Sequence, residues 1–290
     1  MNKTHNPYAK ALDGLEILDP VASFFDFCIE REKIRKKRDR GLPPPWTNDP
    51  IFNQARFLNV FREDDRGSKS ILRFAKDLNE DLETLIQGLF FARWCNKQET
   101  LDSISANILS NPKKLHDLIQ SNKSWCNNTA YPVESIYWEG RKYSRADAAA
   151  ILFFEVKNPL TKIIQDAQGN IVDATNSVND KFKMNNDFPI FMAITDIAWF
   201  RPDIINPKSP VPTGIGAVAY LDRLQAYLGM ESHEVTCNRM IELQKRYWPD
   251  AKREFHPIDI EYLSCECRKY YSYINKTKLF EGKNIFTQKV

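Results

Sequence analysis

The sequence predicts a mainly α-helical protein, with one small β-hairpin as the exception, and three observations carry that prediction. Apolar residues recur every three or four positions, as in Phe24, Phe25, Phe27, Cys28 and Ile29 or in Leu82, Leu85, Leu89, Phe90 and Trp94, the spacing that lines one helix face. Helix-start signals precede such stretches, among them Asp19-Pro20 and Ser144, where a side-chain oxygen or an N1 proline suits the unpaired first turn. Strand signals are confined to two turns, Trp138 to Ser144 around Glu139-Gly140, and Gly169-Asn170.

Taken in order, residues 1–20 read as a lead-in, and Asp19-Pro20 caps a helix from about Val21. The helix continues into a basic run: Arg31, Lys33, Arg35, Lys36, Lys37, Arg38 and Arg40. Gly41-Leu42-Pro43-Pro44-Pro45 must break it, because proline lacks the donor and excludes the α conformation before it. After Trp46, Thr47 or Asn48 can cap a second helix carrying Arg56, Asn59, Arg62, Glu63 and Arg66 on one polar face, with Phe57, Val60, Phe61 and Ile71 inward. Helices follow over 71–82 and 81–95, and shorter ones over 101–120 broken at Asn111-Pro112. Residues 121–131 read as a loop, and Ser144 as the cap of a helix over 145–155. The polar stretch 158–186 reads as an insertion or mobile loop between lobes at 15–157 and 187–290 of a single unit. Phe188 to Phe200 is an apolar run with one charge, Asp196. Val211-Pro212-Thr213-Gly214-Ile215-Gly216 then opens a helix to about Leu228, and a closing helix runs from about Asp259 past Tyr270.

The chain has 290 residues, enough to bury a full core. Lys and Arg total 41 against 38 Asp and Glu, so the net +3 is no sign of nucleic-acid binding and only the local clustering is. No apolar stretch reaches membrane-spanning length, and the start lacks a secretory pattern, which suggests a cytoplasmic protein. Its six cysteines are scattered as reduced thiols would be, and its four histidines are too dispersed for a metal site. No metal or cofactor is expected, and no obligate protein partner is evident.

The stretch from Arg31 to Arg66 carries the functional signal. A basic run attracts phosphates, although a solvated helix face is the bland alternative for Arg31, Arg35, Lys36, Lys37 and Arg38. An asparagine among arginines suits reading a base edge while the arginines hold phosphates. A buried network of Asn59, arginine and Asp65 fits the same residues, and both readings stay open. Asp196, alone in an apolar run, must be paired or used. Gly214 and Gly216 before a helix could present amides to a phosphate. Lys269 is either a surface partner of Glu266, a DNA contact or a desolvated nucleophile.

The words Arg31-Glu32-Lys33-Ile34, Pro45-Trp46-Thr47-Asn48-Asp49-Pro50-Ile51 and Arg56-Phe57-Leu58-Asn59-Val60-Phe61-Arg62-Glu63-Asp64-Asp65-Arg66 resemble the helical module of the α-glutamyl/putrescinyl thymine pyrophosphorylase family. So do the stretch Phe91 to Thr100, through Arg93, Asn96, Glu99 and Thr100, and the closing Cys265-Glu266 with Lys269-Tyr270. The resemblance implies a helix-hairpin-helix, DNA glycosylase-like fold of two lobes and action on hypermodified pyrimidines in double-stranded DNA. It implies Asp196, Asn59 and Lys269 as candidate catalytic groups and Trp46, Asp49, Asp65, Glu266 and Tyr270 as candidates to line a base pocket. Arg31, Arg35, Lys36, Lys37, Arg38, Arg56, Arg62, Arg66, Gly214 and Gly216 are the candidates to hold DNA. Where a glycosylase hairpin is followed by an Asp, this chain has Val235-Thr236-Cys237, which turns attention to Asp196.

Three functions follow from this reading. The first expectation is a DNA glycosylase that flips out and excises a bulky modified pyrimidine, as anti-phage defence would require. The second is a transferase adding an amino acid or amine to an activated pyrimidine, and the third a non-catalytic DNA-binding module. The sequence holds no Gly-x-x-x-x-Gly-Lys-Ser/Thr, so a nucleotide-kinase reading, which some relatives of this helical module support with a fused domain, is excluded for this chain.

Overall fold

The computed structural model describes residues 6–78, 81–127 and 135–278, so the ends of the chain and part of the 121–131 loop lie outside the described residues. In chain order the helices are α1 Pro20–Asp39, α2 Pro50–Gln54, α3 Arg66–Lys76, α4 Leu82–Cys95, α5 Gln98–Leu101, α6 Ala106–Leu109 and α7 Pro112–Ser121. The strands β1 Ile136–Trp138 and β2 Arg141–Tyr143 follow, then α8 Arg145–Asp147, a π-helical turn Ala148–Leu152, α9 Phe153–Glu155, α10 Lys157–Asp166, α11 Ile171–Phe182, α12 Phe188–Phe200, α13 Val218–Leu228, α14 His233–Tyr247 and α15 Pro257–Ile274. The fold is mainly α, as expected.

Local chemistry sets most of the boundaries. Asp19 caps α1 by accepting from the Ala22 amide at 2.8 Å with Pro20 at N1. Asp81 caps α4, Asn111 caps α7 ahead of Pro112, and Ser144 caps α8. β1 and β2 pair antiparallel with Trp138 opposite Arg141. Glu139 and Gly140 between them both have positive φ, 48° and 81°, as the tight two-residue turn of a right-twisted hairpin requires.

The chain divides into two compact units, residues 65–210 and residues 2–64 with 211–290. In the first, α4 and α12 are buried almost all round and pack on each other, which marks them as the central helices of that unit. Phe90, Trp94, Phe153 and Phe182 form its aromatic core. In the second, α1, α13 and α14 pack on α15. Phe24, Phe25, Phe61, Trp248 and Phe255 interlock there, and the Tyr220 hydroxyl donates to the Pro20 carbonyl at 3.0 Å.

Three expectations are corrected. The polar stretch 158–186 is no loop: it holds α10 and α11, whose apolar faces bury Leu160 and Ile164, and Ile171, Ala174, Val178 and Phe182. Gly169-Asn170 turns between those helices, with Asn170 capping α11, instead of closing a hairpin. Residues 55–61 are not helical either. Ala55 is already extended, and only a 3-10 turn, Arg62–Asp64, precedes α3. The polar face expected for Arg56, Asn59, Arg62 and Arg66 therefore does not exist as a helix face. No helix among the described residues is long and apolar enough to cross a membrane.

Candidate functional site

Residues 55–64, in the second unit, run over α15 and are tied down almost residue by residue. Arg31 is 5 % exposed and donates to the Phe57 carbonyl at 3.2 Å and to Asn59 Oδ1 at 2.5 Å. Asn59 Nδ2 donates to the Asp64 carbonyl at 3.0 Å, so both ends of the carboxamide brace the loop. The Tyr262 hydroxyl donates to the carbonyls of Asn59 and Val60, and Glu266 accepts from the Leu58 amide at 3.0 Å. Lys269 donates to the Arg56 carbonyl. These bonds explain why the segment is extended: its backbone groups find partners on neighbouring helices in place of an intrahelical ladder.

The end of the loop is fixed by charge. Arg253 joins Glu63 at 2.9 Å and the fully buried Asp259 at 2.6 Å. Burial alone would raise the Glu63 pKa, but the hydrogen bond and charge of Arg253 outweigh it and hold the group at about 2. Lys252 reaches Asp64 at 3.1 Å. Arg35 is spent on Glu32 at 2.6 Å and Asp39 at 2.6 Å, with Asp64 at 3.6 Å, and these carboxylates raise its pKa further.

The residues expected to line a pocket are bonded to their neighbours. The Tyr270 hydroxyl donates to Asp49 Oδ2 at 2.6 Å while Asp49 Oδ1 caps α2. The Tyr270 ring packs against Phe27, Phe52 and Phe57. Trp46 donates from Nε1 to the Leu42 carbonyl and receives Lys37 Nζ on its own carbonyl at 2.5 Å. Among the residues of this unit that do face outward are Lys33, Lys36, Lys37, Arg38 and Arg40 along the end of α1, and Arg56 and Leu58 on the loop.

Gly214 and Gly216 also lie on α15, along its neighbouring stripe Glu261, Cys265 and Arg268. The Gly214 amide, expected to meet a phosphate, donates to Glu261 Oε1 at 2.9 Å. A Cβ on Gly214 would sit 3.0 Å from that oxygen, and one on Gly216 would sit 2.6 Å from Cys265 Sγ, so these glycines serve close packing. Glu261 is 6 % exposed. Its burial raises the pKa to about 7 against the lowering effects of the Gly214 amide and the Arg62 charge. Arg62 lies over the Tyr262 ring at 5.6 Å, and its Nε is buried without a hydrogen-bond partner. Glu261 escaped the sequence reading, because nothing local marks a helical glutamate whose partner amide is 47 residues away.

Asp196 and Arg66 belong to the first unit. Asp196 is 1 % exposed in α12 and forms a two-point ion pair with Arg93 of α4, one contact measuring 2.6 Å. This is the structural salt bridge of two central helices, and it leaves the carboxylate no open face. Arg66 and Gly67 line an open cleft of about 520 Å³ with Asn96, Lys97, Gln98 and Glu99. Arg66 Nε donates to Gln98 Oε1 at 3.0 Å there. Asp65 caps α3 without a side-chain cap bond. Thus Asn59, Lys269, Glu266, Arg56 and Arg62 are brought together, and Asp196 stands apart from them in sequence unit and in role.

A family model described as 5-hmdU DNA kinase, helical domain, matches residues 19–278. No curated protein and no solved structure matches the chain. The match corrects two expectations. The family is that of a kinase, a phosphotransferase, so the DNA glycosylase reading with base excision is overturned. The pyrophosphorylase family gives way to this one, while the broader expectation of a family acting on modified pyrimidines in DNA stands.

Proposed function

The chain belongs to the 5-hmdU DNA kinase helical-domain family, and on that premise we propose that it binds DNA carrying 5-hydroxymethyl pyrimidines and presents the hydroxymethyl group for phosphoryl transfer. The observation that carries this reading is the length of the match, which spans residues 19–278 and so includes every part of the loop and of α15 described above. A kinase acting on a base in DNA needs two sites, one that cradles a nucleoside triphosphate and one that holds the acceptor. The sequence contains no Gly-x-x-x-x-Gly-Lys-Ser/Thr loop for the first task, so the proposal assigns this chain the acceptor side.

The surface of the second unit suits that task. Lys36, Lys37, Arg38 and Arg40 are exposed along the last turns of α1 and supply charge to track a phosphate backbone without reading sequence. Chemistry on a pyrimidine C5 substituent with bulky partners favours an extruded nucleotide, and the rigidly held loop 55–64 offers a fixed edge against which to place one.

The test is equilibrium binding of the whole chain to two duplexes that differ at one base, 5-hydroxymethyluracil or thymine, followed by mass spectrometry of the recovered nucleosides. Tighter binding to the hydroxymethyl duplex, with every glycosidic bond intact, is the expected result. Equal affinity for the two duplexes would overturn the reading, and so would the appearance of abasic sites.

A further inference from the structure

We propose that the cleft of the first unit, lined by the start of α3, the α4–α5 turn and residues 124–127, receives the pyrimidine ring of a nucleotide swung out of DNA, and that the Asn96 carboxamide reads the ring's N3–H and a neighbouring carbonyl. The inference deepens the acceptor-side reading and rests on it only for the ligand's being a base of DNA.

The walls of the cleft are built and fixed. Lys97 Nζ donates to the Ser124 carbonyl and, at 2.8 Å, to the Ser124 hydroxyl. The Asn127 amide donates to the Cys95 carbonyl at 2.9 Å. Arg145 donates to the Trp94 carbonyl at 3.0 Å and to the Asn127 carbonyl at 3.3 Å. Residues 124–127 are thereby pinned to the end of α4. The space left open is about 520 Å³, inside the range of roughly 300–1,000 Å³ that small-molecule sites occupy.

Two residues on this space are not accounted for by folding. Asn96 caps α4 in the left-handed region, φ 45° and ψ 39°, where glycine is the usual residue. Its half-buried side chain lines the cleft and makes no hydrogen bond among the described residues. Gly67, in the first turn of α3, needs no left-handed backbone, and a Cβ there would meet only Asn96 Oδ1, at an ordinary contact distance of 3.7 Å. Alanine would fit and would make the better helix. What the glycine keeps clear is the approach to the Asn96 carboxamide.

That carboxamide offers an acceptor and a donor side by side, so its complement donates and accepts side by side. A phosphate only accepts and would leave Asn96 Oδ1 unmatched. A uracil-type ring presents N3–H next to a carbonyl oxygen and satisfies both. The lining is polar and carries no aromatic side chain among the described residues, so the ring is held by its edge, where its polar atoms lie.

The experiment uses the whole chain and short single strands that carry 5-hydroxymethyluracil, its N3-methyl derivative or thymine, at a salt concentration that weakens backbone contacts. Single strands remove the cost of unpairing, which N3 methylation alters. The wild type should bind the hydroxymethyl strand about 10-fold more tightly than the N3-methyl strand, the value of a hydrogen bond. The hydroxymethyl strand should also protect Cys126, which lines the cleft, from alkylation by N-ethylmaleimide, and the N3-methyl strand should not. Asn96→Gly should erase the affinity difference while melting no lower than the wild type, because glycine suits the left-handed cap at least as well. Gly67→Ala should weaken binding without lowering the melting temperature. Wild-type indifference to N3 methylation, a difference that survives Asn96→Gly, or unprotected Cys126 would each overturn the cleft, and the first and last need no variant. Thymine shares the N3–H edge, so the two readings fail separately. Equal binding of hydroxymethyl and thymine strands with N3 sensitivity retained overturns the acceptor-side reading alone, and a hydroxymethyl preference without N3 sensitivity overturns the cleft alone.

Discussion

At the scale of single residues, the charges that look most chemical in the sequence do structural work. Asp196 faces Arg93 between two buried helices, and its removal strands a guanidinium in the core. Asp196→Asn should therefore cost about 3–5 kcal/mol of folding stability, measured by denaturant titration. Replacing both residues together by methionine should recover much of the loss, because it removes the unpaired charge as well. A variant as stable as wild type would return Asp196 to the list of functional candidates. Glu63 makes a pH prediction with a defined sign. Arg253 holds its pKa near 2 against the ordinary 4.5, so the stabilisation is complete above about pH 4.5 and is lost as pH falls towards 2. Glu63→Gln should flatten that acid limb by roughly 2–3 kcal/mol. Glu261 runs the other way. Its pKa is raised to about 7, so the folded protein pays increasingly for ionising it between about pH 4.5 and 7, and Glu261→Gln should remove that upper limb.

At the scale of elements, α15 is the spine of the second unit, and two irregular segments are shaped by what it offers them. The segment 55–61 gives up helical bonding because Tyr262, Glu266 and Lys269 satisfy its backbone. The segment 211–217 comes close enough to α15 that only glycine fits at 216, where a Cβ would lie 2.6 Å from Cys265 Sγ. Gly216→Ala should destabilise the protein by about 1–3 kcal/mol through overpacking, read as a lowered melting temperature. Adding Cys265→Ala should restore most of it, since it removes the atom that is struck. Failure of the second substitution to rescue the first would mean that the added methyl is resisted by the Arg268 guanidinium, 3.4 Å from the same point, instead.

For the molecule as a whole, charge distribution matters more than the net +3. Arg31 and Arg35 are consumed by Asn59, Glu32, Asp39 and Asp64, so the proposed DNA contact falls to the exposed cations at the end of α1. Changing Lys36, Lys37 and Arg38 together to Ala should weaken binding to any duplex and lower the slope of log affinity against log salt by about 2 to 3, since each phosphate contact contributes roughly 0.9. Because Lys37 also holds the Trp46 carbonyl, the variant's melting curve should be recorded alongside. An unchanged salt slope would place the DNA path elsewhere on the protein.

The sequence alone determined the elements whose causes are local. Asp19-Pro20, Asp81, Asn111-Pro112 and Ser144 start helices because a side-chain oxygen or a proline at the first turn acts within three residues. Glu139-Gly140 closes the hairpin because the turn needs two positive φ values. The tertiary structure decided what depends on distant partners. Residues 56–66 have helical spacing, yet Arg31 and α15 offer their backbone better bonds. Residues 158–186 look like a loop because surface helices show solvent their polar faces, and only packing reveals the buried stripe of Leu160, Ile164, Val178 and Phe182. Asp196 was marked as a lone charge by its sequence, but whether it was paired or free turned on Arg93, 103 positions earlier. Glu261 gave no signal at all, since its partner, the Gly214 amide, lies 47 positions earlier and meets it only once that loop has folded onto α15.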